Sequence, residues 1–213
     1  MSNSKLKGTF TLILGGVRSG KSRFGQELAH RLGNDDVLFV ATAESRDEEM
    51  ARRIDKHRQS RPKTWRTLEQ PLGTGKTINF VESLSKVVLV DCLTLLVSNV
   101  LLENESDLDA LAGIAAIENR MHAEIDDLIA IAKNREIHLI VVSGEVGMGL
   151  VPENALGRLF RDLLGWSNQR LAACATSTYL MVAGIPINVS SLGCSVQQAA
   201  EELANDLQTG AQK

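Results

Sequence analysis

Cysteine is scarce in this chain: Cys92, Cys174 and Cys194 are the three among 213 residues. They are odd in number, far apart and never arranged as CxxC, so they indicate neither a disulfide framework nor a zinc site, and they suit a reducing compartment. A strong charge of one sign is also missing. The net charge of −3 excludes binding of nucleic acid or acidic lipid by bulk electrostatics and leaves any affinity for phosphate to local clusters. The longest apolar run, Val87 to Leu102, is short for a bilayer span and carries Asp91 inside it. The opening M-S-N-S-K-L-K leads directly into a strand-like run without a signal-peptide pattern. Repeats and low-complexity tracts are absent. Together these absences predict a cytoplasmic protein that neither inserts into membranes nor binds nucleic acid.

What is present is the composition of a globular protein, 44% hydrophobic and 23% charged. The length suits one ordinary domain. The expectation is a single domain over 1–213, with a short polar extension at 1–8 and a polar tail that frays from about 205. P-L-G-T-G-K, residues 71 to 76, reads as a turn or loop.

Short β-rich apolar runs recur at Thr9–Leu14, Val37–Ala41, Val87–Val90, Leu139–Ser143 and Thr178–Val182. They are continuous rather than alternating, the pattern of strands covered on both faces. Helix-period segments lie between them, at Ser22–Leu32, Asp47–Gln59, Asp107–Asn134 and Glu153–Ala175. Such alternation predicts an α/β fold with a mostly parallel central sheet flanked by helices, and a site at the strand ends.

The first strand runs into G-G-V-R-S-G-K-S, residues 15 to 22, which satisfies G-x-x-x-x-G-K-[ST]. Glycines let backbone N–H groups turn around phosphate oxygens, and the helix opening at Lys21 adds the positive end of its dipole. Lys21 would reach the terminal phosphates and Ser22 would ligate Mg²⁺. A glycine-rich hairpin is the bland alternative, but it accounts for neither the strand before the motif nor the helix after it. V-V-L-V-D, residues 87 to 91, is an apolar strand ending in an acid. The Asp91 carboxylate there is placed to hold the magnesium or its water shell, although such a residue also serves as a turn or N-cap. The guanine-reading N-K-x-D signature is absent, as is the long arm of a mechanical ATPase. A small phosphate-transfer enzyme remains.

Among the four histidines, His30, His122 and His138 fit surface or capping roles. His57 differs. Met50, Ile54 and His57 fall at i, i+4 and i+7 on the apolar stripe of their helix. Arg53, Lys56, Arg58 and Arg61 surround the histidine in sequence. Basic neighbours disfavour imidazolium, keep the ring nucleophilic, and can hold the oxygens of a phosphate under attack. A histidine so placed is a candidate phosphate-accepting nucleophile, with a core histidine as the alternative.

These residues resemble the bifunctional adenosylcobinamide kinase/adenosylcobinamide-phosphate guanylyltransferase family of cobalamin biosynthesis. The similar stretches are G-G-V-R-S-G-K-S, A-T-A with the acidic run after it, residues 53 to 69 (R-I-D-K-H-R-Q-S-R-P-K-T-W-R-T-L-E), V-D-C-L-T, S-G-E-V-G-M-G-L-V-P and residues 158 to 172. The resemblance spans about Thr9 to Ile187. It implies a RecA-like P-loop fold, a homotrimer, and ATP and GTP as substrates with Mg²⁺. It further implies phosphorylation of adenosylcobinamide, then transfer of GMP from GTP through a guanylylated His57 to give adenosylcobinamide-GDP. Nucleotide contacts would match Gly15, Gly16, Val17, Arg18, Ser19, Gly20, Lys21 and Ser22. They would also match Thr42, Ala43, Glu44, Arg58, Gln59, Ser60, Arg61, Glu69 and Asp91, with Ser22 and Asp91 holding the metal. Two other readings stay open: a P-loop small-molecule kinase with a structural His57, and a slowly hydrolysing regulatory module. The roles of Glu145, Asn168 and Gln169 are left open by the sequence.

Overall fold

The computed structural model describes residues 6–45, 48–59, 61–103 and 111–210, although several side chains within α2, α5 and α7 (defined below) lie outside that description. The order is β1 (Thr9–Gly15), α1 (Lys21–Gly33), β2 (Val37–Ala41), α2 (Glu48–Gln59), β3 (Arg66–Glu69), α3 (Thr74–Phe80) and β4 (Val87–Asp91). Then come α4 (Leu93–Glu103), α5 (Leu111–Asn134), β5 (His138–Val142), α6 (Ala155–Ala172), β6 (Ser177–Val182), β7 (Ile185–Asn188) and α7 (Val196–Gly210). The strands form one sheet in the order β3-β2-β4-β5-β1-β6-β7. All neighbouring pairs are parallel except β6 with β7.

The continuous apolar runs are explained by two separate cores. In β2, Leu38 and Val40 join the core on one face, while Val37, Phe39 and Ala41 join the core on the other. β4 divides the same way, with Val88 and Val90 on one side and Val87 and Leu89 on the other. Successive side chains point to opposite faces of a strand, so a strand covered twice needs apolar residues at every position. Ala29 and the flank of α1 cover one face; α3, α4, α5 and α6 supply the larger core opposite.

Five strands of the expected set form, with ends shifted by a residue or so. β3, β7, α3, α4 and α7 have no counterpart among the expected elements. Residues 71–73 form the expected turn, whereas 74–76 are corrected to helix: Gly73 caps α3 in a left-handed conformation (φ 62°) and the helix begins at Thr74. Helical backbone continues to Gly210, past residue 205 where fraying is expected. Val196, Ala199, Ala200 and Leu203 fall at helical spacing in that segment. Asp47 and the start of the segment expected at Asp107 lie outside the described residues.

Parallel pairing brings the carboxyl ends of six strands, β1 to β6, to one edge. Ala41 is in register with Glu69 and Asp91, Asp91 with Val142, and Ile13 with Val142. Residues far apart in sequence thus meet around the end of β1.

Candidate active site

The turn after β1 is shaped by positions that favour glycine. Gly15 has φ 150°, and a Cβ there would lie 2.7 Å from both Met181 O and Ser19 Oγ. Gly20, at φ 97°, caps α1 without any side-chain bond, so the first N–H groups of that helix face the loop. A Cβ at Gly20 would come 3.3 Å from Gly184 Cα. The backbone is tied from behind, since Gly184 N donates to Ser19 O at 2.9 Å and Ser19 N to Gly16 O at 3.3 Å. Buried Ser19 Oγ has no partner. The result is a rigid cradle whose inner surface is donor-rich, the arrangement that binds a polyphosphate.

Lys21 folds back over this cradle, its Nζ donating to Gly16 O at 2.7 Å. Burial holds its pKa below the ordinary lysine value, with Cys92 and Asp91 opposing the shift. Ser22 Oγ donates to Asp91 Oδ1 at 3.2 Å. That juxtaposes two hard oxygen donors at the foot of the cradle, a donor set that fits Mg²⁺. Cys92 is partly buried, and desolvation of its thiol with the nearby Asp91 charge pushes the pKa up to about 11. It is therefore a neutral wall rather than a nucleophile at neutral pH. Behind the wall, Thr42 Oγ1 donates to Cys92 O at 2.6 Å and accepts from Cys92 N at 2.9 Å. Asn99 Nδ2 in turn donates to Thr42 O at 2.8 Å. Thr42 fixes the end of β4 from beneath and is fully buried.

The cleft above these residues has a volume of about 440 Å³, enough for a nucleotide. Gly15, Val17, Arg18, Lys21, Ser22 and Asp91 line one side. Ala43, Arg58, Arg61 and Glu69 line the other. Arg58 pairs with Glu69 and lies 3.8 Å from Asp55. Arg61 lies over the Phe39 ring at 3.6 Å from its centroid, and its buried Nε has no partner. Burial lowers the Arg61 pKa; Asp91 raises it, Arg58 lowers it further and Glu69 raises it. A guanidinium so desolvated gains from an anion brought to it. Gly16 borders the cradle without lining the cleft, and Glu44 and Gln59 are exposed outside it. The side chains of Met50, Arg53, Lys56 and His57, and all of Ser60, lie outside the described residues. The backbone of His57 belongs to α2, whose Ala51, Ile54, Asp55 and Arg58 line the cleft.

Several lining residues had no signal in the sequence. Ala51 and Leu95 are apolar and chemically silent, and Thr94 looks like any helix residue. Asn168 and Gln169 are now distinguished: Gln169 is exposed, whereas buried Asn168 accepts from Ser143 Oγ at 2.6 Å and donates to Gly144 O at 2.9 Å. Thr94 Oγ1 accepts from Gly144 N at 2.6 Å, so Gly144 is held from both sides.

A strand, glycine cradle, lysine and helix, with a serine–aspartate pair beneath, define a nucleotide-binding α/β protein of the P-loop class. The chain belongs to the cobinamide kinase / cobinamide phosphate guanyltransferase family, which it matches over residues 11–189. It is 41% identical over 179 residues to the "Bifunctional adenosylcobalamin biosynthesis protein CobU" of Escherichia coli, covering 84% of this chain and 98% of that one. The CobU protein of Salmonella typhimurium is 41% identical over 183 residues, covering 84% and 98%. The corresponding CobP protein of Pseudomonas aeruginosa is 39% identical over 176 residues, covering 83% and 94%. Among the described residues no helix is long and apolar enough to cross a membrane.

Proposed function

We propose that this chain phosphorylates adenosylcobinamide with ATP or GTP, and then transfers GMP from GTP to the new phosphate through a guanylylated His57. The observation that carries the reading is one cleft that holds both the phosphate cradle with its Ser22–Asp91 pair and, opposite, Arg58 of α2 and Arg61 beyond it. Family membership supplies the acceptor.

In the first reaction the N–H groups of Gly15 to Ser22 hold the phosphates. Lys21 leaves Gly16 O for the terminal phosphate, where it stabilises the charge that builds during transfer. Ser22 and Asp91 would hold Mg²⁺, which neutralises phosphate charge when bound. In the second reaction an imidazole nitrogen of His57 bonds to the α-phosphorus of GTP, and the bond from that phosphorus to the bridging oxygen breaks. Pyrophosphate leaves with the electron pair. A phosphate oxygen of the acceptor then displaces the imidazole, so the P–N bond breaks as the new P–O bond forms. Arg58 and Arg61 screen the phosphates during attack. Ala43, Ser60 and Glu69 complete the nucleotide contacts, and Thr42 supports the site from beneath.

We take the working form to be a cytoplasmic homotrimer; the exposed apolar strip of Val182, Ile185 and Ile187 at the β6–β7 edge supports assembly of copies. The test supplies cobinamide with γ-labelled ATP and then with α-labelled GTP. Both labels should reach the corrinoid in that order. Transfer of the first label alone would reduce the protein to a kinase, and transfer of neither would dismiss the reading.

A further inference from the structure

Glu145 follows β5, the strand paired directly with β1. Its backbone N–H donates to Gly15 O at 3.0 Å, which ties it to the start of the phosphate loop. It lines the same cleft as Lys21, Ser22 and Asp91. The other cleft carboxylates are engaged: Asp91 with Ser22, Glu69 and Asp55 with Arg58. Glu145 is held by a hydrogen bond alone. Its Oε1 accepts from Gly147 N at 2.5 Å, and among the described residues no ion pair or second hydrogen bond engages the carboxylate. Gly147 permits this clasp, since a Cβ there would lie 2.9 Å from Oε1. Oε2 is thus oriented and available.

The loop beyond turns apolar side chains outward, with Met148 83%, Leu150 95% and Val151 68% exposed. It is anchored by Arg161 Nη2 donating to Gly147 O at 2.8 Å. A carboxylate set between a phosphate cradle and an apolar lip matches an acceptor that brings one hydroxyl on a large, partly apolar body.

We propose that Glu145 is the catalytic residue that takes the proton from the acceptor hydroxyl in phosphoryl transfer, an inference that rests on the kinase reading of this cleft. The acceptor O–H bond breaks and its proton moves to Glu145 Oε2. The oxygen bonds to the γ-phosphorus, the bond to the β–γ bridging oxygen breaks, and the nucleoside diphosphate leaves with that electron pair. Glu145 then releases the proton to solvent. Asp91 is poorly suited to this task, because a carboxylate holding Mg²⁺ is a weak base.

The test measures cobinamide phosphorylation by γ-labelled ATP in the full-length chain. The wild type should turn over, and Glu145→Gln should lower kcat by roughly 10²-fold or more. ATP affinity by calorimetry and the melting temperature should stay near wild type, and Glu145→Asp should recover part of the rate. A Glu145→Gln protein with wild-type kcat would overturn the assignment. So would one that loses ATP affinity and melting temperature along with rate, since that marks a structural role. An inactive wild type would instead overturn the kinase reading itself, and this inference with it.

Discussion

Lys21 is a cation whose surroundings are incomplete until a phosphate arrives. Burial lowers its pKa, and the neighbouring Cys92 and Asp91 only partly offset that. In the unliganded protein the folded state therefore binds this proton less tightly than the unfolded chain does. Stability from this group accordingly rises with pH as pH climbs through the depressed folded pKa, and levels off above the ordinary value of 10.5. A bound polyphosphate places negative charge beside Nζ and drives the pKa back up. Nucleotide binding at alkaline pH should consequently take up protons, read as a binding enthalpy that changes with the ionisation enthalpy of the buffer. Lys21→Ala should lose this proton uptake and lower phosphoryl transfer roughly 100-fold or more. Binding without proton uptake would mean that Lys21 does not meet the phosphate.

The short helix α3 shows how an element can be hidden from sequence reading. Its glycines suggest a loop, but they serve packing. Gly73 supplies the left-handed cap, and a Cβ at Gly75 would lie 2.6 Å from Asp127 Cβ on α5. Glu124 of α5 completes the junction by accepting from Gly73 N, with the N–H groups of Gly75 and Thr74 nearby. Burial raises the Glu124 pKa against these donors and Arg120, and its Oε2 has no partner. The folded state holds this proton more tightly, so stability falls as pH rises from 4.5 through the elevated value. Glu124→Ala should lower unfolding free energy by about 1–3 kcal/mol, because a buried N–H loses its acceptor. Glu124→Gln keeps an acceptor without the buried charge and should match or exceed wild type at neutral pH in urea unfolding. A Glu124→Ala protein as stable as wild type would remove the cap from the account. The buried strands β1, β2, β4 and β5 were legible because covering on both faces leaves an uninterrupted apolar run. Edge strands β3 and β7 carry no such run: Arg66–Glu69 is mostly exposed, and three of four β7 residues are exposed. The cradle was legible for a related reason, since backbone geometry there demands glycine at fixed spacing. Glu145, Thr94 and Asn168 were not, because their roles arise from strand order and contacts between distant segments.

Beyond residue 189 the chain extends past the match to its family, and that extension contains α7. Val196 and Leu203 of α7 are 88% and 67% exposed. The described side chains of the helix therefore add little buried apolar area to the subunit. Deleting residues 193–213 should shift the melting temperature by no more than about 2–4 °C, the equivalent of roughly 1 kcal/mol, and leave both transfer reactions intact. Loss of either reaction would assign α7 a part in the site.

The central claim is that one cleft performs two chemically different transfers, and His57 separates them. α-Labelled GTP given to the wild-type protein should leave a covalent label that is labile to acid and stable to base, as a phosphoramidate is, while γ-labelled GTP should leave none. Added pyrophosphate should discharge the label. His57→Asn should carry no label yet still phosphorylate cobinamide, because asparagine's amide nitrogen is no nucleophile and the cradle is untouched. A His57→Asn protein that labels as the wild type does would place the nucleophile elsewhere and contradict the account.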